Sequence, residues 1–323
     1  MKERIPAFLA PMAGYSDLPF RILCHEQGAM GQTTELVSAT GIRHSGLDKS
    51  WRYVAVDPKR EGPVYIQLFG AEADDFLYAA EKILEDSRFE GIEGIDINMG
   101  CPVPKVVKTG AGSALMDRPD VAVKIVSVLA KTLEGTGYKL SCKMRLGFVG
   151  EEETCSDLAP RLVEAGARML TVHGRFRDQY YAGKADWEAI GRVDQSLVRS
   201  GLRDRVFLLG NGDIENPEQA RRLFEETGVD GVAIGRAAMG NPWAFRPFSS
   251  LSTRTEATDE EKKKTIYRHA AMLCDFLGEE RAMLEFRKTL ARYSQNRPHA
   301  KALRQASNRI LQLADVETWL ALF

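Results

Sequence analysis

The chain has 323 residues, 44% of them apolar and 28% charged, a mixture that supplies a large packed core and excludes disorder, collagen and coiled coil. With 44 Lys+Arg against 45 Asp+Glu the formal charge is -1, so any basic surface must be local. Five scattered cysteines without a CxxC pair argue against a disulfide framework or a structural zinc site and for reduced thiols.

Eight β-rich runs follow one another in chain order, each closed by glycine or polar residues: 8–14, 30–38, 64–70, 94–101, 139–147, 169–175, 205–214 and 231–236. After the first comes Ala13-Gly14-Tyr15-Ser16-Asp17, in which Ser16 or Asp17 can cap a helix. The second run has a polar interior, Thr33-Thr34-Glu35, and is the weakest of the eight. Segments 71–86, 119–133, 152–165, 187–198 and 216–227 lie between runs and carry apolar residues three and four apart, the helical period. Eight βα units close a (β/α)8 TIM barrel, the expected fold. A doubly wound sheet would offer GxGxxG or GxxxxGK[ST] after its first strand, and neither pattern opens a helix here.

From Phe245 the rhythm changes to a polar linker, 249–260, and then only helical pattern: 260–277, 279–293, 301–313 and a short terminal piece. The expected organisation is a barrel over 1–244 and an all-α domain over 245–323. This second part holds 14 Lys+Arg against 10 Asp+Glu, and between Arg281 and Arg309 eight basic residues meet one acid, Glu285. That is the footprint of a polyanion site. The apolar stretch near the N-terminus is short and broken by proline, and no run approaches a membrane span. A cytoplasmic protein without membrane attachment is expected.

The chemistry-bearing residues sit at the C-terminal ends of different runs, which a barrel gathers at one mouth. Cys101 lies in Asn98-Met99-Gly100-Cys101-Pro102. A thiol there can be nucleophile, metal ligand or proton donor; with a reference pKa near about 8.5 it is mostly protonated at neutral pH. The loop beyond it, through Lys105 and Lys108 to Ser113, contains glycines and is of the kind that moves over a substrate. Asn211-Gly212-Asp213 and Gly235-Arg236 follow the seventh and eighth runs, where barrels frequently bind phosphate on glycine backbone and helix N-termini. Strand alternation puts Ser141, Lys143 and Arg145 on one face, and two cations at a barrel mouth call for an anion. His173 and Arg175 join them, and Gln67 and Asn98 offer amides to a heteroaromatic edge. Phosphate grip, cation and amides together suggest flavin mononucleotide (FMN). No HExxH or comparable spacing appears, so no metal is expected.

These stretches together resemble the tRNA-dihydrouridine synthases, most closely the bacterial B-type subgroup. The matches are Ala10-Pro11-Met12-Ala13-Gly14, Gln67-Leu68-Phe69-Gly70, Asp96 to Pro102 with Lys105-Val106 and Ala111 to Leu115, Lys143 to Gly147, His173-Gly174-Arg175, Gly210 to Asp213, and Ile234 to Ala238 with Gly240 to Trp243. The resemblance implies an FMN-dependent enzyme that uses NADPH to reduce the C5=C6 bond of particular tRNA uridines. It implies that Pro11, Met12 and Ala13 line the flavin and that Gln67 and Lys143 bind its ring. His173 with Asn211, Gly212, Asp213, Gly235 and Arg236 would complete the site and hold the phosphate. Asn98 would touch flavin or base, and Cys101 would be the proton donor. It also implies a C-terminal helical domain that grips tRNA. Arg145, Arg175 and Lys105 at the mouth and Arg287, Lys288 and Arg292 in the basic helices are the further candidates for substrate contact. The competing reading is a small-molecule flavin oxidoreductase of the dihydroorotate-dehydrogenase type, which leaves the basic tail unexplained.

Overall fold

The computed structural model describes residues 5–150, 152–249 and 256–323. Nine strands form one parallel sheet: β1 Ala7–Leu9, β2 Gly31–Thr33, β3 Val37–Ser38, β4 Val64–Phe69, β5 Gly94–Met99, β6 Lys139–Arg145, β7 Met169–His173, β8 Phe207–Asn211 and β9 Gly231–Ile234. Their order is β2-β1-β9-β8-β7-β6-β5-β4-β3, and β2 also pairs with β4, which closes the barrel. β2 and β3 are two pieces of one stave, pairing with β4 through Gln32↔Val64 and Val37↔Leu68. The polar run seen in the sequence explains the break: the hydroxyl of Thr34 accepts from the Gln67 N–H at 3.0 Å, a side chain standing in for a ladder carbonyl. The barrel is therefore eight-staved, as the run count predicts.

Strands buried on both faces read as nearly continuous apolar runs; β4, β7, β8 and β9 come near that, while β5 and β6 interleave Asp96, Asn98, Ser141, Lys143 and Arg145 with their apolar residues. Tyr65, Met169 and Leu209, packed with Phe8 and Phe207, fill the interior near the N-terminal ends of the strands. That floor leaves polar groups room only at the other end. The outer helices Ala73–Glu85, Pro119–Thr132, Cys155–Ala165, Trp187–Arg199 and Pro217–Thr227 lie where the apolar period places them. Of the two candidate caps, Asp17 takes the role, accepting from Phe20 N–H at 2.9 Å.

Two stretches differ from the sequence reading. Gly235 leads not into a full α-helix but into 3-10 turns, Arg236–Ala238 and Pro242–Phe248. Pro242 opens the second and Pro247 lies inside it, and Gly240 has φ +66° with the backbone carbon of Arg292 2.6 Å from where a Cβ would stand. The basic helix expected over 301–313 ends at Ser307. Buried Ile310 follows, its carbonyl accepting from Arg287 Nε at 2.9 Å, and Asp315 caps a new helix, Leu313–Leu322, by accepting from Leu311 and Gln312 N–H. Residues 250–255 of the expected linker lie outside the described residues, and its last two, Asp259 and Glu260, already belong to the helix Asp259–Leu277.

Helices Asp259–Leu277 and Glu279–Tyr293 open the C-terminal part, the first with a reciprocal cap between Thr258 and Glu261. Ile266, Leu273, Phe286, Leu290 and Trp319 form a separate apolar cluster that Trp243 joins, whereas Phe245 packs into the barrel cluster. Across the seam Phe20 stacks on His269 with ring centres 5.6 Å apart, Arg52 meets Glu285 at 2.7 Å and Arg268 meets Glu26 at 2.5 Å.

The most deeply buried ion pair among the described residues is Arg21 and Glu61, 1% and 0% exposed. Arg21 also donates to the carbonyls of Ser16 and Ala55, and Glu61 accepts from Asp57 N–H. Glu61→Ala strands a buried guanidinium and is expected to cost about 3–5 kcal/mol in urea unfolding. A loss below about 1 kcal/mol, the value of an exposed pair, would contradict that reading.

Candidate active site

The registers of the inner staves stack polar side chains in tiers. Gln67 lies opposite Asp96 and Asp96 opposite Ser141; Asn98 lies opposite Lys143; Arg145 lies opposite His173, and His173 opposite Asn211. Above these tiers opens a cavity of about 700 Å³, lined among others by Met12, Gln67, Cys101, Lys143, His173 and Arg236. Pro11, Ala13, Asn98, Arg145, Asn211, Gly212, Asp213, Gly235 and Arg292 border it too. Residues separated by more than two hundred positions thus share one hollow.

Each wall is held by its own bonds. Asn98 Oδ1 accepts from the N–H of Gly100 at 3.1 Å and of Cys101 at 2.9 Å, fixing the turn that presents the thiol. Ser113 N–H and hydroxyl both return to the Cys101 carbonyl. Burial pushes the Cys101 thiol up from its ordinary value, against the opposing pull of the Val103 N–H, Arg145 and Lys143. The group is a protonated thiol at neutral pH, an acid rather than a standing nucleophile.

Lys143 donates to Asn211 Oδ1 at 3.1 Å, and Asn211 in turn donates to the Ala233 carbonyl at 2.7 Å. Burial first, then Arg145, pulls the lysine down to about 8, while Asp96 works the other way. His173 is held neutral by burial and by Lys143, Arg145, Arg175 and Arg236 around it. The loop at 211–213 is unusual in backbone: Gly212 has φ +127° and Asp213 φ +52°. A Cβ on Gly212 would stand 2.6 Å from that of Ala185, so only glycine fits there. Burial would raise Asp213, yet hydrogen bonds from Arg175 and the Ala185 N–H, with the charge of Arg236, hold its carboxyl below the usual range. Its oxygens lie 2.7 Å from Arg175 and 2.5 Å from Arg236.

Four cations therefore surround His173, while Asp213 pairs with Arg175 and Arg236 and Asp96 acts on Lys143, an imbalance that fits an anionic ligand such as a phosphate. Gln67, Asn98 and Lys143 provide donors and an acceptor for a flat polar ring, and Met12 with Pro11 gives an apolar wall. The residues present fit a ring-bearing phosphate ester.

Several sequence candidates occupy places other than an open binding position. Arg145, 2% exposed, donates to the carbonyls of Gly100, Phe176 and Tyr180 and ties two mouth loops together. Arg175, 1% exposed, spends its donors on Ala182, Gly183 and Asp213. Lys105 is exposed on the short helix Pro104–Val107, and Arg287 holds the Ile310 carbonyl. Lys288 and Arg292 reach the barrel, their charges 5.4 and 5.6 Å from the centre of the Tyr15 ring. The sequence reading missed Tyr181, 56% exposed, whose ring lies 6.3 Å from that of His173 and 5.3 Å from the Arg236 guanidinium. It sits in an aperiodic loop, where no spacing marks it.

A closed parallel barrel whose strand ends assemble a cationic, amide-lined hollow around a thiol defines a (β/α)8-barrel enzyme. The sequence profile described as Dihydrouridine synthase (Dus) matches residues 8–321. The chain belongs to the dihydrouridine synthase family, with B-type bacterial members among its relatives. It is 37% identical over 301 residues to a protein named probable tRNA-dihydrouridine synthase 1 from Synechocystis sp., covering 92% of this chain and 80% of that one. To tRNA-dihydrouridine synthase B from Pectobacterium carotovorum it is 34% identical, covering 93% and 90%. Among solved structures, a variant of NCR from Zymomonas mobilis shares the fold with TM-score 0.50 at 16% identity, covering 81% of this chain and 91% of that one. Among the described residues no helix is long and apolar enough to cross a membrane.

Proposed function

We propose that this protein reduces the C5=C6 bond of uridines in tRNA to 5,6-dihydrouridine, with FMN bound in the mouth and NADPH as reductant. The observation that carries the reading is the convergence of Cys101, Lys143 and His173 on one cavity. When bound, FMN supplies a hydride to C6 of the pyrimidine and is itself replenished by NADPH.

The chain's own residues do the rest. Arg236, with the Asn211–Asp213 and Gly235 backbones, takes the phosphate. Lys143 sets a positive charge beside the ring, positioned by Asn211, and Gln67 orients the ring edge. His173, held neutral, donates or accepts one hydrogen bond without adding charge. Asn98 serves the base as well as the turn, and Cys101 gives its proton to C5, which needs an acid nearby as the bond is reduced. A uridine must leave its stack to enter this hollow, a smaller cost in flexible loops than in paired stems.

The division of labour we infer is a catalytic barrel over 1–244 and a tRNA grip over 245–323, in a cytoplasmic setting. Lys288 is an exposed cation of the second part whose charge lies 5.4 Å from the centre of the Tyr15 ring, which borders the mouth. Lys288→Glu is expected to weaken tRNA binding and lower the slope of log affinity against log salt by about 1. An unchanged slope in filter-binding titrations would remove Lys288 from the contact surface. The reading as a whole is tested by incubating purified protein with FMN, NADPH and unmodified tRNA and measuring dihydrouridine by mass spectrometry. Turnover of free orotate or dihydroorotate with no product on tRNA would favour the dihydroorotate-dehydrogenase type instead.

A further inference from the structure

We propose that Asp96 is a positioning residue whose carboxylate fixes the polarity of a chain of two amides and thereby clamps the turn that carries Cys101. The chain runs through three side chains to two backbone N–H groups. Asp96, 2% exposed, accepts from Gln67 Nε2 at 2.7 Å; Gln67 Oε1 accepts from Asn98 Nδ2 at 2.9 Å; Asn98 Oδ1 accepts from Gly100 and Cys101 N–H.

An amide side chain has a donor end and an acceptor end of nearly the same shape, so its neighbours decide which end faces where. An ionised carboxylate only accepts. It therefore compels Gln67 to offer its NH2 to Asp96 and its oxygen to Asn98, which must then turn its own oxygen toward the two backbone N–H groups. Reversing Asn98 would set its NH2 against the two backbone N–H groups, and reversing Gln67 would set its oxygen against the carboxylate and its NH2 against that of Asn98; a buried donor without an acceptor is costly. One buried charge below the mouth thus dictates a backbone geometry at the mouth.

The same logic makes the clamp pH-dependent. A protonated Asp96 can donate, and the whole chain then has a second polarity that releases the turn. Gln67 from β4, Ser141 and Lys143 from β6 and the Tyr65 ring below face this carboxyl, and the buried Cys142 thiol of β6 feels its charge. Burial pushes it up to about 6 against the opposing pull of Ser141, Gln67 and Lys143. The raised value means the ionised clamp is complete above about pH 7 and is lost as pH falls through about 6.

The consequence for catalysis rests on the reading of Cys101 as the acid, but the clamp itself is measurable without it. Amide hydrogen exchange of the 98–103 peptide, in full-length protein freed of flavin, reads the Gly100 and Cys101 N–H groups directly. Asp96→Asn is expected to speed their exchange about tenfold at pH 7.5, the equivalent of one lost buried hydrogen bond. In the double variant Asp96→Asn/Asn98→Asp, an acceptor-only group again faces the turn, and exchange is expected to return to within about twofold of wild type. Wild-type protein, corrected for intrinsic exchange and referenced to β7, is expected to loosen at the same peptide below about pH 6. That arm needs no substitution and stands even if the single variant folds poorly. Unchanged exchange in Asp96→Asn, loosening that the double variant fails to restore, or a pH-independent wild type would each overturn the proposal and leave Asp96 a counter-charge for Lys143. A clamp that behaves as described in a protein that makes no dihydrouridine would sink the functional reading alone.

Discussion

Replacing Cys101 by alanine is expected to lower dihydrouridine formation about 10²–10⁴-fold, the range for a lost general acid, while flavin content and NADPH oxidation stay near wild type. The split follows from position. Cys101 hangs from a turn held by Asn98 and by Ser113, and its backbone carries those bonds whatever the side chain. Its thiol enters none of the hydrogen bonds that fix Lys143, Asn211, Asp213 or Arg236. Burial keeps the thiol protonated, so activity is expected to persist through neutral pH and fall only when the solution is alkaline enough to remove that proton. Cys101→Ser, a far weaker acid at the same place, is expected to recover little. Equal loss of flavin reduction and tRNA reduction would assign Cys101 a structural role.

Lys143→Met is expected to weaken FMN binding about tenfold to a hundredfold, the scale of a charge-assisted hydrogen bond lost from a buried site. It is also expected to slow NADPH-driven flavin reduction about 10²–10³-fold, as for removal of a preorganised donor. Methionine keeps the length of the side chain and removes the charge. The pH sign is separately checkable. Lys143 in the flavin-free protein is drawn down to about 8 by burial and Arg145, so it is charged below that pH and neutral above. Wild-type affinity for FMN, followed by fluorescence quenching, is therefore expected to fall as pH rises through about 8. The methionine variant is expected to lack that step. A step that survives the substitution would shift the role to another group.

The barrel was legible because its staves are short apolar runs ending in polar residues, a pattern set by burial on both faces. The second stave broke where its sequence broke, at Thr33-Thr34-Glu35. The eighth helix was not legible: Gly240 has to let the 292 backbone pass close by, and that constraint comes from a helix fifty residues away. The mouth was legible at its edges, since Cys101, Lys143 and His173 line one cavity as strand-end positions suggested. The tasks of individual arginines were not. Arg145 and Arg175 look like substrate ligands in sequence, yet in the fold most of their donors are engaged by loop carbonyls that no spacing rule pairs with them. Asp96 was hidden inside a motif noticed for its cysteine, and its partner Gln67 lies on a neighbouring stave.

The most direct test is a position-by-position mass-spectrometric map of dihydrouridine in tRNA from cells lacking this protein, compared with cells that carry it and with cells that carry Cys101→Ala. At least one uridine is expected to stay unreduced in the first and third and to be reduced in the second. A map that is the same in all three would contradict the assignment of this barrel to tRNA.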